Sequence, residues 1–269
     1  MSLLLLYAVF LASGASSLIC EITWARMLVV LLGNTLTASS VILAAFMGGL
    51  VLGSYAGGRV LSRFPASLVP YALLELGIGL YAVASPAFFD PASALFTGLV
   101  RDLTDPGSIM LARLSLAFAW LFFPAFLMGA TFPAIIIGSA RLPAPGPRQT
   151  DLPAAGPADL AQERHAARTG YLYGINTLGG AAGSLIAGYV LLPKIGASLT
   201  LLVACLVSVL AVAGALTLHR LSRNGSFGAA APQSKATGDF AVSRPVAGLI
   251  MLITFVIGFA SLAYEVLLT

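Results

Sequence analysis

The sequence predicts an all-α, polytopic membrane protein, and three observations support that fold class. Its 269 residues are 59% hydrophobic and 9% charged, whereas a soluble domain carries about 25% charged residues. Several apolar runs are long enough to cross a bilayer, which takes about 20 helical residues. The 14 Lys and Arg residues lie mainly between these runs. That placement is typical of residues that orient membrane helices, so the basic net charge does not indicate nucleic-acid binding.

Seven spans are predicted in chain order. The first begins without a basic segment and stays apolar past residue 21, so we interpret it as a retained helix rather than a signal peptide. The fourth contains Pro124 and Pro133, which should kink or break it. The predicted spans are 3–32, 37–58, 69–89, 109–138, 169–192, 198–218 and 246–269.

Basic residues in the connecting segments predict the orientation of the helices. The segments after spans two, four and six carry ten Lys or Arg residues, and those after spans three and five carry two. The positive-inside rule then places the N-terminus in the cytoplasm. It also predicts a cytoplasmic loop over 139–168, whose Pro-rich composition indicates a flexible linker, and a cytoplasmic linker over 219–245.

A motif in the first span recurs in the seventh. Gly14, Ser17, Leu18 and Glu21 return at identical spacing as Gly258, Ser261, Leu262 and Glu265. Six spans separate the two copies, so both copies cross the membrane in the same direction. We therefore predict a six-helix bundle over 1–218 and, over 246–269, the first helix of a second parallel repeat, apparently truncated. Parallel six-helix halves are the arrangement of major-facilitator transporters.

Small residues recur four apart in spans two and five. Gly49, Gly53 and Gly57 form one stripe, and Gly179 and Gly183 lie on another. Small residues let helix backbones approach closely where lipid supplies no hydrophobic drive. The stripes predict either fixed, tight packing or a surface on which two halves slide.

Charged and polar residues inside the spans are the candidate binding residues. Glu21 and Arg26 are five residues apart and face different sides of one helix, so we predict Arg113 as the cross-helix partner of Glu21. Two interpretations of Glu21 stay open: a buried structural ion pair, or a cation or proton site. Trp24, beside Glu21, could contact a cation through its ring.

Two further polar residues lie in spans three and five. Glu75, near the cytoplasmic end of its span, would either reach the membrane interface or occupy the interior. Asn176 would either form an interhelical hydrogen bond or line a cavity. The sequence offers no catalytic constellation and no metal-ligand spacing, and Gly77 to Ala82 imitates a dinucleotide motif only within an apolar helix. We therefore expect no catalytic residue, no metal and no cofactor.

Several motifs together resemble one bacterial family in order and spacing. They are Ser13-Gly14 with Glu21-x-x-Trp24-x-Arg26, then Phe46 to Ser54 with Gly57-Gly58-Arg59, then Pro124 with Leu127 to Pro133, then Gly170 to Gly180 with Gly183, Gly188, Leu191 to Pro193 and Gly196. The chain resembles the membrane part of fused major-facilitator-like/spermidine-synthase-like proteins. Cys20 departs from that pattern, which usually has Tyr there, and Gly53 to Arg63 lacks the Asp of the major-facilitator loop.

The resemblance implies a location and two candidate functions. It implies a multi-pass protein of the bacterial inner membrane, with the lipid bilayer as its surroundings. One function is a transporter-like domain that moves a small cationic solute such as a polyamine. The alternative is an anchor for a cytoplasmic aminopropyltransferase domain, which would follow this segment in the parent chain and has no counterpart here.

Overall fold

The computed structural model describes residues 2–33, 36–142 and 156–223, and these residues are almost entirely helical. A short 3₁₀ turn, Ser139–Arg141, follows the fourth helix, and a π-helical turn, Ala187–Leu191, separates the last two. The predicted all-α class is confirmed for this part of the chain. The seventh predicted span, with Glu265, and the linker from residue 224 onward lie outside the described residues. The helices are α1 Ser2–Leu32, α2 Leu36–Leu61, α3 Val69–Val100, α4 Pro106–Gly138, α5 Pro157–Ile186 and α6 Leu192–Arg223.

Five helical stretches in the described residues are long and apolar enough to cross a membrane. The last of them, Gln162–Arg223, is 62 residues long and contains most of α5 and all of α6. It is interrupted at Gly196, whose φ of 75° is not helical. A left-handed conformation of this kind suits glycine, which has no Cβ to clash with the backbone. The chain is therefore a polytopic helical membrane protein.

Contacts between helices show that the chain reverses at this glycine. On α5, Gly179 packs against Leu11 and Gly183 against Ala15, so α5 runs in the direction of α1. On α6, contacts with α1 run the other way: Ser208 meets Ser16, and Gly214 meets Val9. Helices α5 and α6 thus run in opposite directions, and both pack on α1.

The other helices also alternate in direction. Helix α3 is parallel to α1, because Ser13 contacts Glu75 and Trp24 contacts Ser85 further along both helices. Helices α2 and α4 run parallel to each other. Helix α4 is antiparallel to α3, since Gly77 lies near Leu127 and Gly138 near Ser67. This up-and-down order agrees with the six spans predicted for residues 1–218.

The glycine stripe of α2 packs directly on α4. A Cβ added to Gly49 would lie 2.6 Å from Ala125 Cβ, and one on Gly57 would lie 2.9 Å from Ala130 Cβ. At Gly53 it would overlap the carbonyl of Phe126. Tight helix packing by the stripes is therefore confirmed at both predicted positions, α2 on α4 and α5 on α1.

Three boundaries differ from the predictions. Helix α3 continues to Val100 through Pro86 and Pro91, beyond the predicted end at residue 89. Helix α4 is continuous through Pro124 and Pro133, so neither proline breaks it. Lipid-buried helices tolerate proline because neighbouring groups satisfy the freed carbonyls.

The third difference concerns the predicted flexible loop 139–168, which is wrong for residues 157–168. These residues form the first turns of α5. Pro157 occupies the first helical position, where its missing N–H costs nothing. The Asp159 carboxylate accepts a hydrogen bond of 3.1 Å from the Gly156 backbone N–H. From Ala158 to Thr169 the sequence has neither Gly nor Pro, so a polar helix extends ahead of the apolar span.

Candidate functional site

Helices α1, α3 and α6 bring five polar side chains together in the bundle interior. They are Ser13 and Ser16 on α1, Tyr71 and Glu75 on α3, and Ser208 on α6, and all five are buried. We call this group the hydroxyl–carboxylate cluster. It joins the central parts of α1 and α6 to the first two turns of α3.

The Glu75 carboxyl is the centre of the cluster and is fully buried. Ser13 donates a hydrogen bond to Glu75 Oε1. Ser208 Oγ lies 3.2 Å from Oε2. Within the described residues no Lys, Arg or His forms an ion pair with Glu75, and its partners are neutral hydroxyls.

A chain of hydroxyls continues from Glu75 to the backbone of α6. Ser208 Oγ lies 2.8 Å from Ser16 Oγ. Ser16 in turn donates to the Ala204 carbonyl oxygen at 2.9 Å. The polar contact between α1 and α6 therefore depends on the same hydroxyl that contacts Glu75.

Tyr71 is the fifth member of the cluster, and its hydroxyl forms no complete hydrogen bond. Its hydroxyl interacts with Ser13 and Glu75, but it is buried and lacks the geometry of a hydrogen bond to any described residue. Its ring packs edge-on against Phe10, with centroids 6.2 Å apart. The packing therefore keeps the Tyr71 hydroxyl, a donor without a completed bond, beside the Glu75 carboxyl.

Helical spacing explains how the sequence builds this site. Ser13 and Ser16 are three apart, and Tyr71 and Glu75 are four apart, so each pair lies on one helix face. Ala204 and Ser208 are also four apart. Sequence reasoning missed Ser13, Ser16, Tyr71 and Ser208 because isolated serines in apolar helices read as small packing residues. Only Tyr71, one turn before Glu75 on the same face of α3, carried a signal in the sequence.

The structure places the Glu75 side chain in the interior of the bundle, where it is fully buried. Its neighbours one turn away are apolar or hydroxyl-bearing, and helices α1, α3 and α6 enclose it. Whether this position lies at the depth of the membrane interface or deeper stays a prediction.

Glu21 lies elsewhere and is not part of this cluster. It is half-buried on α1, Arg26 is exposed on the same helix, and Arg113 is half-buried in the first turns of α4. The Glu21–Arg113 pair stays a prediction. The polar centre on α1 is formed instead by Ser13 and Ser16, which the repeat does not preserve: residues 257 and 260 are Ile and Ala.

Trp24 and Asn176 take part in helix packing. Trp24 is fully buried, donates from Nε1 to Ser85 Oγ at 2.9 Å, and packs edge-on against Tyr81. Both its ring and its N–H are thus occupied by protein. Asn176 is half-buried against Gly14 of α1. The interhelical hydrogen bond predicted for its side chain is not formed with any described residue.

An open groove of about 730 Å³ follows the outer face of α5, away from the cluster. It is lined by Tyr171, Tyr173 and the backbone of Gly170 and Gly174, and it is almost wholly apolar. Such a face is expected where a helix meets lipid or another membrane helix. It brings together no charged candidate residue.

Within the described residues, no group of three or more His, Cys, Asp or Glu side chains could hold a metal ion. The fold and site together define a polytopic helical membrane protein with one carboxyl enclosed by hydroxyls. Comparison with protein-family models, curated proteins and solved structures finds no match for the chain.

Proposed function

We propose that this chain is a membrane transport domain in which Glu75 serves a small cationic solute. The observation that carries the proposal is a fully buried carboxyl with no cationic partner among the described residues. A buried ionised carboxylate without a partner costs several kcal/mol. Ionisable groups retained inside membrane helices commonly mark solute, ion or proton pathways.

The chemistry around Glu75 suits a cation. Ser13, Ser16 and Ser208 provide hydroxyl oxygens, and Ala204 provides a carbonyl oxygen, all on helices that meet at the carboxyl. Oxygen donors around one carboxylate favour ammonium groups and other hard cations over anions. The motif resemblance narrows the proposed solute to a polyamine, whose ammonium groups are such cations.

The same resemblance supports proposals on family and location. We place the chain in the bacterial inner membrane as the membrane part of a spermidine-synthase-like fusion protein, with the N-terminus in the cytoplasm. A reporter inserted at Gly156 tests the orientation: a cytoplasmic reporter should be active there and a periplasmic one silent. The opposite activities would invert the topology.

A second candidate is an anchor for a synthase-like domain, and one observation favours it. The cluster is enclosed, with Glu75 fully buried, and the groove described above lies on another face. An anchor needs a closed bundle, whereas a transporter must open this site to one side of the membrane during its cycle.

Uptake of labelled spermidine into proteoliposomes distinguishes the two functions. We expect uptake by the full chain, near-complete loss in Glu75→Gln, and retention in Glu163→Gln, which removes an exposed carboxylate on α5. Uptake no greater than in empty liposomes would favour the anchor. Equal uptake by the parent and Glu75→Gln would remove Glu75 from the transport site.

A further inference from the structure

Four contacts connect Glu75 through the serines to the backbone of α6. They join Ser13 to Glu75, Glu75 to Ser208, Ser208 to Ser16, and Ser16 to the Ala204 carbonyl. Each contact requires one donated hydrogen, and a hydroxyl has one hydrogen to give. The three serines therefore supply three hydrogens for four contacts.

The direction of each bond follows from one acceptor. The Ala204 carbonyl can only accept, so Ser16 donates to it. Ser208 can donate either to Ser16, at 2.8 Å, or to Oε2 of Glu75, at 3.2 Å, and we assign its hydrogen to the shorter contact. Ser13 donates to Oε1 of Glu75. No hydroxyl hydrogen remains for the contact of 3.2 Å between Ser208 and Oε2.

We propose that Glu75 is a proton-binding site that carries the fourth hydrogen, as a neutral carboxylic acid donating from Oε2 to Ser208. A neutral acid also avoids the cost of burying an unpaired charge among apolar helices. This inference goes beyond solute transport, because it concerns the proton on Glu75 whether or not a solute moves.

Release of the proton changes the contact between helices. When Glu75 gives its proton to solvent, the carboxylate accepts at both oxygens, and Ser208 turns its hydrogen from Ser16 to Oε2. Ser16 then has one hydrogen for two contacts, to Ser208 and to Ala204, so one link between α1 and α6 is lost. The proton thus couples α3 to the α1–α6 contact.

Tyr71 provides an independent observation that points to the same site. It is a fully buried donor beside Glu75 whose hydrogen has no completed bond in the described structure. A donor of this kind stabilises the carboxylate once the proton has left. The hydrogen of the Tyr71 hydroxyl is therefore available to bond the ionised Glu75 carboxylate.

Other ionisable groups near Glu75 are neutral at ordinary pH or distant. Tyr71 shares its helix, Cys20 lies on α1 and Cys205 on α6. On α4, the remaining helix packed against α3, the only ionisable residue is Arg113, in the first turns. Glu75 is thus the carboxyl in this region whose proton the proposal concerns.

Infrared spectroscopy of the full chain in lipid nanodiscs tests the protonation directly. At neutral pH we expect a carbonyl band of a protonated carboxylic acid that shifts in D₂O. The band should vanish in Glu75→Gln and persist in Glu163→Gln. Identical spectra for the parent and Glu75→Gln in this region would overturn the proposal.

Two variants that keep Glu75 test the hydrogen count even if Glu75→Gln does not fold. Ser16→Ala removes two contacts and one hydrogen, which frees Ser208 to donate to an ionised Glu75. The band should therefore disappear at a pH about one unit lower than in the parent. Tyr71→Phe removes the reserve donor, so the band should persist to higher pH. If the pH at which the band is half lost were the same in both variants as in the parent, the hydrogen count would be wrong. Neither measurement depends on spermidine uptake.

Discussion

Two regions of this bundle hold helices in close contact by opposite means. Between α2 and α4, glycines make the closest contacts: Gly49, Gly53 and Gly57 bring backbone against backbone, and Ser54 adds a hydrogen bond of 2.8 Å to the Gly129 carbonyl. Between α1, α3 and α6, contact is made by hydroxyls arranged around Glu75. The first is insensitive to pH, because it contains no titrating group. The second depends on one proton.

The difference separates a fixed interface, between α2 and α4, from one that responds to protonation, between α1, α3 and α6. Glycine contacts in membranes are stabilised by van der Waals packing, which has one good geometry. Hydrogen-bonded hydroxyls can change direction without any movement of the backbone. A bundle with both can keep α2 and α4 together as a rigid pair while α1, α3 and α6 respond to the state of Glu75.

The largest expected effect comes from a substitution in the glycine stripe between α2 and α4. In Gly53→Ala, the new Cβ would overlap the Phe126 backbone, so the helices must separate. Overpacking of this kind costs about 1–3 kcal/mol or more, and we expect a clear fall in thermal stability in detergent. Gly48→Ala is the matched control on the same helix, since its Cβ would lie 3.9 Å from the Phe118 ring. Equal melting temperatures for the two variants would mean that α2 and α4 are not closely packed at Gly53.

A smaller effect is expected where a charge pair is predicted on α1 and α4. A thermodynamic cycle on Glu21→Gln, Arg113→Gln and the double variant measures their coupling. Because Glu21 is half-buried, the coupling should fall between the about 0.2–1 kcal/mol of exposed pairs and the 3–5 kcal/mol of buried ones. Additive effects would exclude the pair and leave Glu75 as the intramembrane carboxyl with assigned partners.

The smallest effect concerns the exposed start of α4. Asp105 caps the helix by accepting a hydrogen bond of 2.7 Å from the Ser108 backbone N–H. This bond, with a second from the Ser108 hydroxyl, lowers the pKa of the Asp105 carboxyl. A lowered pKa means that the cap stabilises the fold above the carboxyl's ordinary pKa and is lost as pH falls through the lowered one. Asp105→Ala should slightly lower the melting temperature at neutral pH and have no effect in strong acid; an equal loss at both would contradict a role for the carboxylate.

The fold was more predictable than the site, for a physical reason. Helices such as α1 and α4 are long and mostly apolar, and lipid forces such runs to be helical. The end of α3 was missed because Pro86, Asp90 and Pro91 are residues that usually indicate the end of a helix. The start of α5 was missed because its charged turns read as a loop, although Asp159 and Pro157 are good helix-starting residues.

The site depends on register between distant segments, which one sequence does not provide. Ser13 and Glu75 are 62 positions apart, and Ser16 and Ser208 are 192 apart. The repeat drew attention to Glu21, because that residue recurs as Glu265. The repeat covers only the first helix, so it carried no information on Glu75, whose importance came from its burial. Searching each helix for hydroxyls on the face of its carboxyl would have found only Tyr71, one turn before Glu75 on α3.

The reversal at Gly196 has a consequence for how the protein enters its membrane. Helices α5 and α6 are joined without an intervening loop, and the turn carries the exposed Lys194. A Lys at the centre of the bilayer is unfavourable by about 2.5–3.5 kcal/mol. In the proposed orientation, with the N-terminus in the cytoplasm, this charge crosses to the far side during biosynthesis, together with the turn that joins the two helices. We therefore expect α5 and α6 to insert as a pair, so that the apolar length of both contributes to carrying Lys194 across.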